Sequence, residues 1–250
     1  MKSVFITGGT SGIGSELAKL YLKEGFRVGV CGRDKSKFDE NFKEHPNLFF
    51  YELDVVNRNK TIEVIQSFSK GHGLDVVYAN AGISVGSKNK TPNFEKMYQV
   101  VDINLKGVVT TFEAAFNIMK EQGYGHLIAV SSVAGYNGLP GAGIYSGTKS
   151  AVIKMCESFS MDWQKFNLNV SVVCPGFIDT PLTQKNNHSM PFMMSSVQAA
   201  FRIKKAMDNK RVLYVFPKRM FVIVKILELL PRTLYRFIMN SKLVSYSTQE

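Results

Sequence analysis

The sequence predicts a single-domain doubly wound α/β fold: a parallel sheet of about seven strands with helices on both faces. Three observations point there. Apolar β-type runs alternate with helix-patterned segments along most of the 250 residues. Those runs are continuous in Val, Ile and Phe, the composition of strands covered on both sides. The first of them feeds directly into a glycine-rich loop, "TGGTSGIG", at the opening of a helix.

The elements follow in order. "SVFITG" (3–8) reads as a buried strand and 12–24 as a helix. "RVGVCG" (27–32), "NLFFYELD" (47–54) and "LDVVYAN" (74–80) are the next three strands. "GHLIAVSS" (125–132), "NVSVVCPG" (169–176) and "RVLYVFP" (211–217) complete the set. Helical patterns fill the gaps over 57–70, 92–121, 145–165 and 195–208. No Pro-, Gly- or Ser-rich linker and no internal repeat interrupts the chain. Residues 1–217 therefore read as one catalytic domain, and 218–250 as a helical extension of it.

Apolar residues make up 45% and charged residues 20%, an ordinary globular balance. Cys31, Cys156 and Cys174 are far apart and form no CxxC pair, so neither a zinc site nor a disulfide framework is expected. Free thiols fit a reducing compartment. The first apolar run is short and ends in glycine, unlike a signal peptide, so the cytoplasm is the expected location. No metal-ligand cluster is visible, and His45, His72, His126 and His188 read as surface or packing residues. The net charge is +11, and residues 200–240 hold ten Lys/Arg against Asp208 and Glu228. That asymmetry suits an anionic membrane surface, an acidic partner or a solvated basic face. Nucleic-acid binding would rest on charge alone and has no motif behind it.

In "TGGTSGIG" the glycines fall at 8, 12 and 14. Glycine permits positive φ in the turn, and the helix N-terminus favours a bound pyrophosphate. The spacing is G-x-x-x-G-x-G rather than G-x-G-x-x-G. It resembles the cofactor loop of the short-chain dehydrogenase/reductase family. The matching motifs continue in order: "LDV" (53–55), "ANAG" (79–82), "DIN" (102–104), "SSVAG" (131–135), "YSGTK" (145–149) and "PGFIDT" (175–180). The resemblance covers about residues 3–210 and implies a Rossmann fold with a nicotinamide cofactor.

The end of the second strand bears on which cofactor. A carboxylate there holds the ribose 2′-OH of NAD. Here stands Gly32, followed by Arg33, whose guanidinium suits a 2′-phosphate. NADP(H) is expected over NAD(H), with Asp34 turned away. The resemblance further implies that Asp54 accepts from the adenine amino group and Val55 packs on its ring. Asn80 and Gly82 would line the nicotinamide-ribose side, and Thr180 would touch the carboxamide. Cofactor contacts are also implied for Gly8, Thr10, Ser11, Gly12, Ile13, Gly14, Pro175, Gly176 and Ile178.

Tyr145 and Lys149 stand four apart at the start of a helical segment, on one face and within reach of each other. A free phenol has a pKa of ~10, and a neighbouring ammonium is expected to lower it. Such a tyrosine exchanges a proton with an alcohol or carbonyl oxygen. The resemblance assigns Lys149 a second role on the nicotinamide ribose, and Tyr145 a place beside the cofactor. It makes Ser132 the hydroxyl that stabilises charge on the substrate oxygen. Ser131 is adjacent, but alternation sends the two side chains to opposite faces, so one of them serves. Asn104 would hold a water for proton relay. The expected reaction is hydride transfer between NADP(H) and a carbonyl or secondary alcohol. The alternative is a catalytically silent NADP-binding sensor or scaffold, but such relatives usually lose the tyrosine or lysine. An epimerase or dehydratase usually needs a longer chain.

Family members commonly finish in a short "DGG"-like tail, whereas this chain runs 33 residues beyond "RVLYVFP" without a glycine. Residues 220–230 are too short an apolar stretch to span a membrane. Two helices broken at Pro231, over 218–230 and 232–241, fit better. Apolar residues cover most of the first, so it is expected to bury against its own domain, a twin subunit or lipid. The surface 218–241 is accordingly a candidate for peripheral contact with the inner face of a membrane. The stretch 183–198, with Met190, Phe192, Met193 and Met194, lies where the family keeps a mobile substrate lid. Lid and tail together point to a lipophilic small-molecule substrate, a long-chain keto lipid or sterol-like compound. By family analogy a homodimer forms through the helices near 102–121 and 145–165.

Overall fold

The structure is a computed structural model that describes residues 1–84, 92–184 and 190–240. Its sheet has seven parallel strands in the order β3-β2-β1-β4-β5-β6-β9. These are β1 (Ser3–Thr7), β2 (Arg27–Gly32), β3 (Leu48–Glu52), β4 (Val76–Ala79), β5 (Gly125–Val130), β6 (Leu168–Pro175) and β9 (Leu213–Phe216). A separate parallel pair joins β7 (Ile178–Asp179) to β8 (Met194–Ser195). The chain builds outward from β1 to β3, then returns to the centre at β4 and builds the other way. The strand order thus reverses between β1 and β4.

Alternation along each strand feeds two cores at once. Phe5, Val77, Leu127 and Val172 face α3 (Arg58–Ser69), α5 (Gly107–Gln122) and α6 (Gly143–Asp162). Val4, Ile6, Tyr78 and Ile128 face α1 (Gly12–Lys23) and α7 (Ser196–Asp208) on the other side. With apolar side chains needed on both faces, the strands read as continuous Val/Ile runs. Each fully buried ring such as Phe5, Phe68 or Phe112 contributes about 2–3 kcal/mol by leaving water. Between α1 and α7 the buried Lys204 ammonium reaches Glu24 (2.7 Å) and Asp208 (3.0 Å), so it is not left uncompensated.

Three features differ from expectation. A short helix α2 (Lys35–Asn41) follows β2, capped by Asp34, whose carboxylate accepts from Ser36 N at 3.0 Å. It buries no residue, so no apolar period announced it. The expected helix 92–121 is α4 (Phe94–Val101) and α5 joined through a π-helical turn, Asp102–Lys106. The two-residue strands β7 and β8 are too short for a pattern of their own.

The tail forms the two expected helices, α8 (Lys218–Leu229) and α9 (Arg232–Asn240), and most of the apolar surface of α8 is not covered within this chain. Of its residues only Met220 and Val224 are buried, against Val133, Tyr136 and Phe221. The expected ends of this segment, 241–250, and residues 185–189 of the expected lid lie outside the described residues. Among the described residues no helix is long and apolar enough to cross a membrane.

One buried histidine makes stability depend on pH. His126 on β5 pairs with Ser171 Oγ on β6 at 2.7 Å. Burial, aided by the Lys210 ammonium and opposed by Asp208, lowers its pKa from 6.5 to about 4. Between those values the unfolded chain holds a proton that the folded one does not, so stability falls as pH falls through this window. At pH 5 the loss is about 2 kcal/mol. Thermal unfolding near pH 7 and pH 5 should show a larger drop in Tm for the wild type than for His126→Asn. Equal drops would mean that this ring does not titrate against a buried site.

Candidate active site

The carboxyl ends of the strands around the β1/β4 reversal enclose a cavity of about 360 Å³. Crevices form at such a point because the loops leaving adjacent strands part in opposite directions.

The loop after β1 forms the floor. Gly8 has φ +62° and lies so close to the β4 loop that a Cβ would sit 2.8 Å from Ala81 Cα. A Cβ on Gly14 would lie 2.4 Å from Gly8 O, so the first turn of α1 packs directly on the loop backbone. Thr7 Oγ1 accepts from the backbone N–H groups of Asn80 (3.1 Å) and Ala81 (3.2 Å), locking the ends of β1 and β4 together. The Asn80 amide donates to Thr7 O (3.0 Å) and Gly8 O (2.9 Å). Its amide hydrogens thus support the loop, while the residue still lines the cavity. The N-terminus of α1 opens onto this floor with no acidic residue in its first turn, which suits an anionic group.

Gly8, Thr10, Ser11, Gly12, Ile13, Arg33, Asp54, Val55, Asn80 and Gly82 all line the cavity. So do Ser132, Tyr145, Lys149, Pro175, Gly176, Ile178 and Thr180. Two of the predicted residues do not: Gly14 sits beneath the floor, and Asn104 is fully buried behind the wall. At the far end a Cβ on Gly32 would meet Thr10 Cγ2 at 2.7 Å, so the threonine side chain fills the place of a side chain at 32. Arg33 and Lys37 line the same end. Lys37 went unread in the sequence because α2 carries no apolar period. Arg33 stands 3.9 Å from Asp54, and Asp54 Oδ1 accepts from Val56 N at 3.1 Å. Asp34, expected to turn away, caps α2 and still borders the cavity.

At the opposite end, α6 presents Tyr145 and Lys149 on one face, with Lys149 Nζ 5.7 Å from the phenol ring centre. Lys149 is buried and donates to Val130 O at 2.8 Å. Burial pushes its pKa down to about 8. The Tyr145 phenol moves the other way. Burial raises its pKa, and a hydrogen bond with Ser132 offsets part of the rise. The expected lowering is not what this arrangement produces, because burial of the phenol is the largest influence on it. The two serines at the end of β5 divide as alternation requires. Ser131 Oγ donates to Lys149 O at 2.7 Å and holds α6 in place. Ser132 faces the phenol.

Asn104 lies in the π-helical turn. Its Oδ1 accepts from Ile83 N (2.8 Å) and its Nδ2 donates to Ile83 O (2.9 Å), so it braces the loop behind Gly82. Cys174 lies beside Lys149 and Ser131, and burial pushes its thiol up to about 12, leaving it protonated. All three cysteines are free and buried. Among the described residues no cluster of His, Cys, Asp and Glu could hold a metal.

The sequence and the fold have known counterparts. The sequence pattern described as short chain dehydrogenase matches residues 2–191. A protein of Myxococcus xanthus (strain DK1622), described as an uncharacterized oxidoreductase, is 31% identical over 239 residues, 94% of each chain. A short chain dehydrogenase from Burkholderia cenocepacia J2315, solved in complex with NADP, superposes with a TM-score of 0.82 at 20% identity, over 96% of this chain and 100% of that one. ElxO, solved with NADP bound, superposes with a TM-score of 0.76 at 26% identity, over 86% and 96% of the two chains. The chain belongs to the short-chain dehydrogenase family.

Proposed function

We propose that the protein is an NADP(H)-dependent oxidoreductase that interconverts a carbonyl and a secondary alcohol on a lipophilic substrate. The observation that carries this reading is the meeting of Ser132, Tyr145 and Lys149 at one end of a cavity whose other end carries Arg33 and Lys37. The residues fit a dinucleotide phosphate. The floor is bare backbone under a helix N-terminus, and the far end has two cations and no room for a side chain at 32. The bound nicotinamide would supply or accept the hydride.

The rest is the work of this chain. Tyr145 Oη gives its proton to the carbonyl oxygen in reduction and takes it back in oxidation. Ser132 Oγ hydrogen-bonds the same oxygen as charge develops there. Lys149 would hold the ribose hydroxyls of the bound cofactor, and Asn104, through Ile83, positions the wall beside it. NADP-bound structures of the Burkholderia protein and ElxO agree with the cofactor choice. A lipophilic substrate is supported by Phe192 and Met193, exposed apolar residues, with Arg219 of α8 lying 5.9 Å from the Phe192 ring. A homodimer through α5 and α6 belongs to the same reading. Val109 and Met161 stand exposed on those helices.

The test is NADPH oxidation by the purified protein with two matched ketones, one short and polar and one long-chain. The long-chain ketone should give the higher kcat/KM. Arg33→Ala should weaken NADPH binding about tenfold or more and leave NADH binding nearly unchanged, the loss of one charge-assisted contact. Equal affinity of the wild type for NADPH and NADH would overturn the cofactor assignment. Preference for the short ketone would overturn the lipophilic substrate.

A further inference from the structure

We propose that the outer face of α8 and α9 is a docking surface for an anionic lipid bilayer, on which the protein lies without crossing. A helix at a water boundary ordinarily turns its polar side outward. α8 is instead apolar on both its inner and its outer side. It rests on the domain through Met220 and Val224, and its other side carries Val222, Ile226 and Leu229, spaced four and three residues apart. Leu229 is 83% exposed. α9 turns Tyr235 and Met239 inward and leaves Phe237 76% exposed.

The two helices are fastened to one loop. Asn137 Nδ2 donates to Val224 O of α8 at 2.9 Å, and Tyr235 Oη of α9 donates to Gly138 O at 2.6 Å. Their inner sides rest on neighbouring residues, so their outer sides face away from that loop together. The loop leads back to Ser132 within a few residues.

Charge selects the occupant. Lys218, Arg219, Arg232 and Arg236 have no carboxylate partner among the described residues, while Lys225 pairs with Glu228 at 2.7 Å. A second copy docked on this face would bring like cations together around a carboxylate that is already engaged. Anionic headgroups offer the opposite charge across the whole surface, and the acyl boundary takes Leu229 and Phe237. With 12 residues, α8 is about 18 Å long, well short of a hydrocarbon core of about 30 Å. It can lie in the interface but cannot span it.

This surface does not depend on the catalytic reading, and its test needs no turnover. Full-length protein is sedimented with phosphatidylcholine vesicles, with and without phosphatidylglycerol. Binding should rise about tenfold or more with phosphatidylglycerol and fall in high salt. Ile226→Gln with Leu229→Gln, and separately Arg232→Gln with Arg236→Gln, should each weaken it about tenfold or more. These side chains are exposed, so circular dichroism and NADPH titration should match the wild type. Wild-type binding that ignores phosphatidylglycerol, or that survives both double variants, overturns the proposal. So does a dimer in analytical ultracentrifugation that dissociates in the Ile226→Gln, Leu229→Gln variant while vesicles bind neither form. That result would assign the face to a second copy.

Discussion

Tyr145→Phe should lose ketone reduction by about a thousandfold or more and keep NADPH affinity within about twofold, the range expected when a positioned proton donor is removed. The substitution takes away one oxygen and leaves the ring and its packing. On the proposed reading the phenol exchanges the proton: it lines the cavity, contacts Ser132, and shares a helix face with Lys149. Burial raises its pKa, so at neutral pH it stands protonated, ready to donate to a carbonyl oxygen. Lys149, lowered to about 8 by burial, remains mostly an ammonium at neutral pH and gives up its proton above that value. Steady-state kcat for the variant, with NADPH binding followed by fluorescence, decides the matter. Turnover within tenfold of the wild type would remove Tyr145 from the chemistry.

Gly14→Ala should lower NADPH affinity about a hundredfold and reduce Tm by several degrees. Its Cβ would press to 2.4 Å from Gly8 O and 2.6 Å from Asn80 Nδ2. The first of these is backbone and cannot swing aside. The second is the amide that holds Thr7 O and Gly8 O. Relief requires α1 to move off the loop, which opens the floor on which a pyrophosphate would rest. Overpacking of this kind costs about 1–3 kcal/mol, and each kcal/mol is worth about 2–4 °C in a chain of this size. Gly147→Ala is the matched control, because a Cβ there meets nothing within 4 Å. It should leave both measurements nearly unchanged. Undiminished NADPH affinity in Gly14→Ala would show that the loop tolerates the shift.

Much of the fold was legible along the chain because its causes are local or periodic. Strands buried on both faces must be apolar at every position, so "SVFIT" and "HLIAV" declare themselves. A Tyr and a Lys four apart on a helix share a face whatever surrounds them. Alternation likewise separated Ser131 from Ser132 before any coordinates. The helix α2 escaped because it is exposed throughout, and Lys37 escaped with it. The π-helical turn at Asn104 escaped because its partner, Ile83, is twenty-one residues away.

The sequence by itself determined the sheet, the glycine floor and the identity of the residues that could do chemistry. Each follows from residue type and short-range spacing. Only the tertiary structure decided how they are used. It brought Thr10 over Gly32, turned the Asn80 amide onto the loop, and gave Lys149 Nζ a hydrogen bond to Val130 O. It also settled which side of α8 faces out, since apolar residues cover most of that helix and its pattern names no inner face. That choice is made by Asn137 and Gly138, some ninety residues earlier in the chain, through hydrogen bonds that no local spacing encodes.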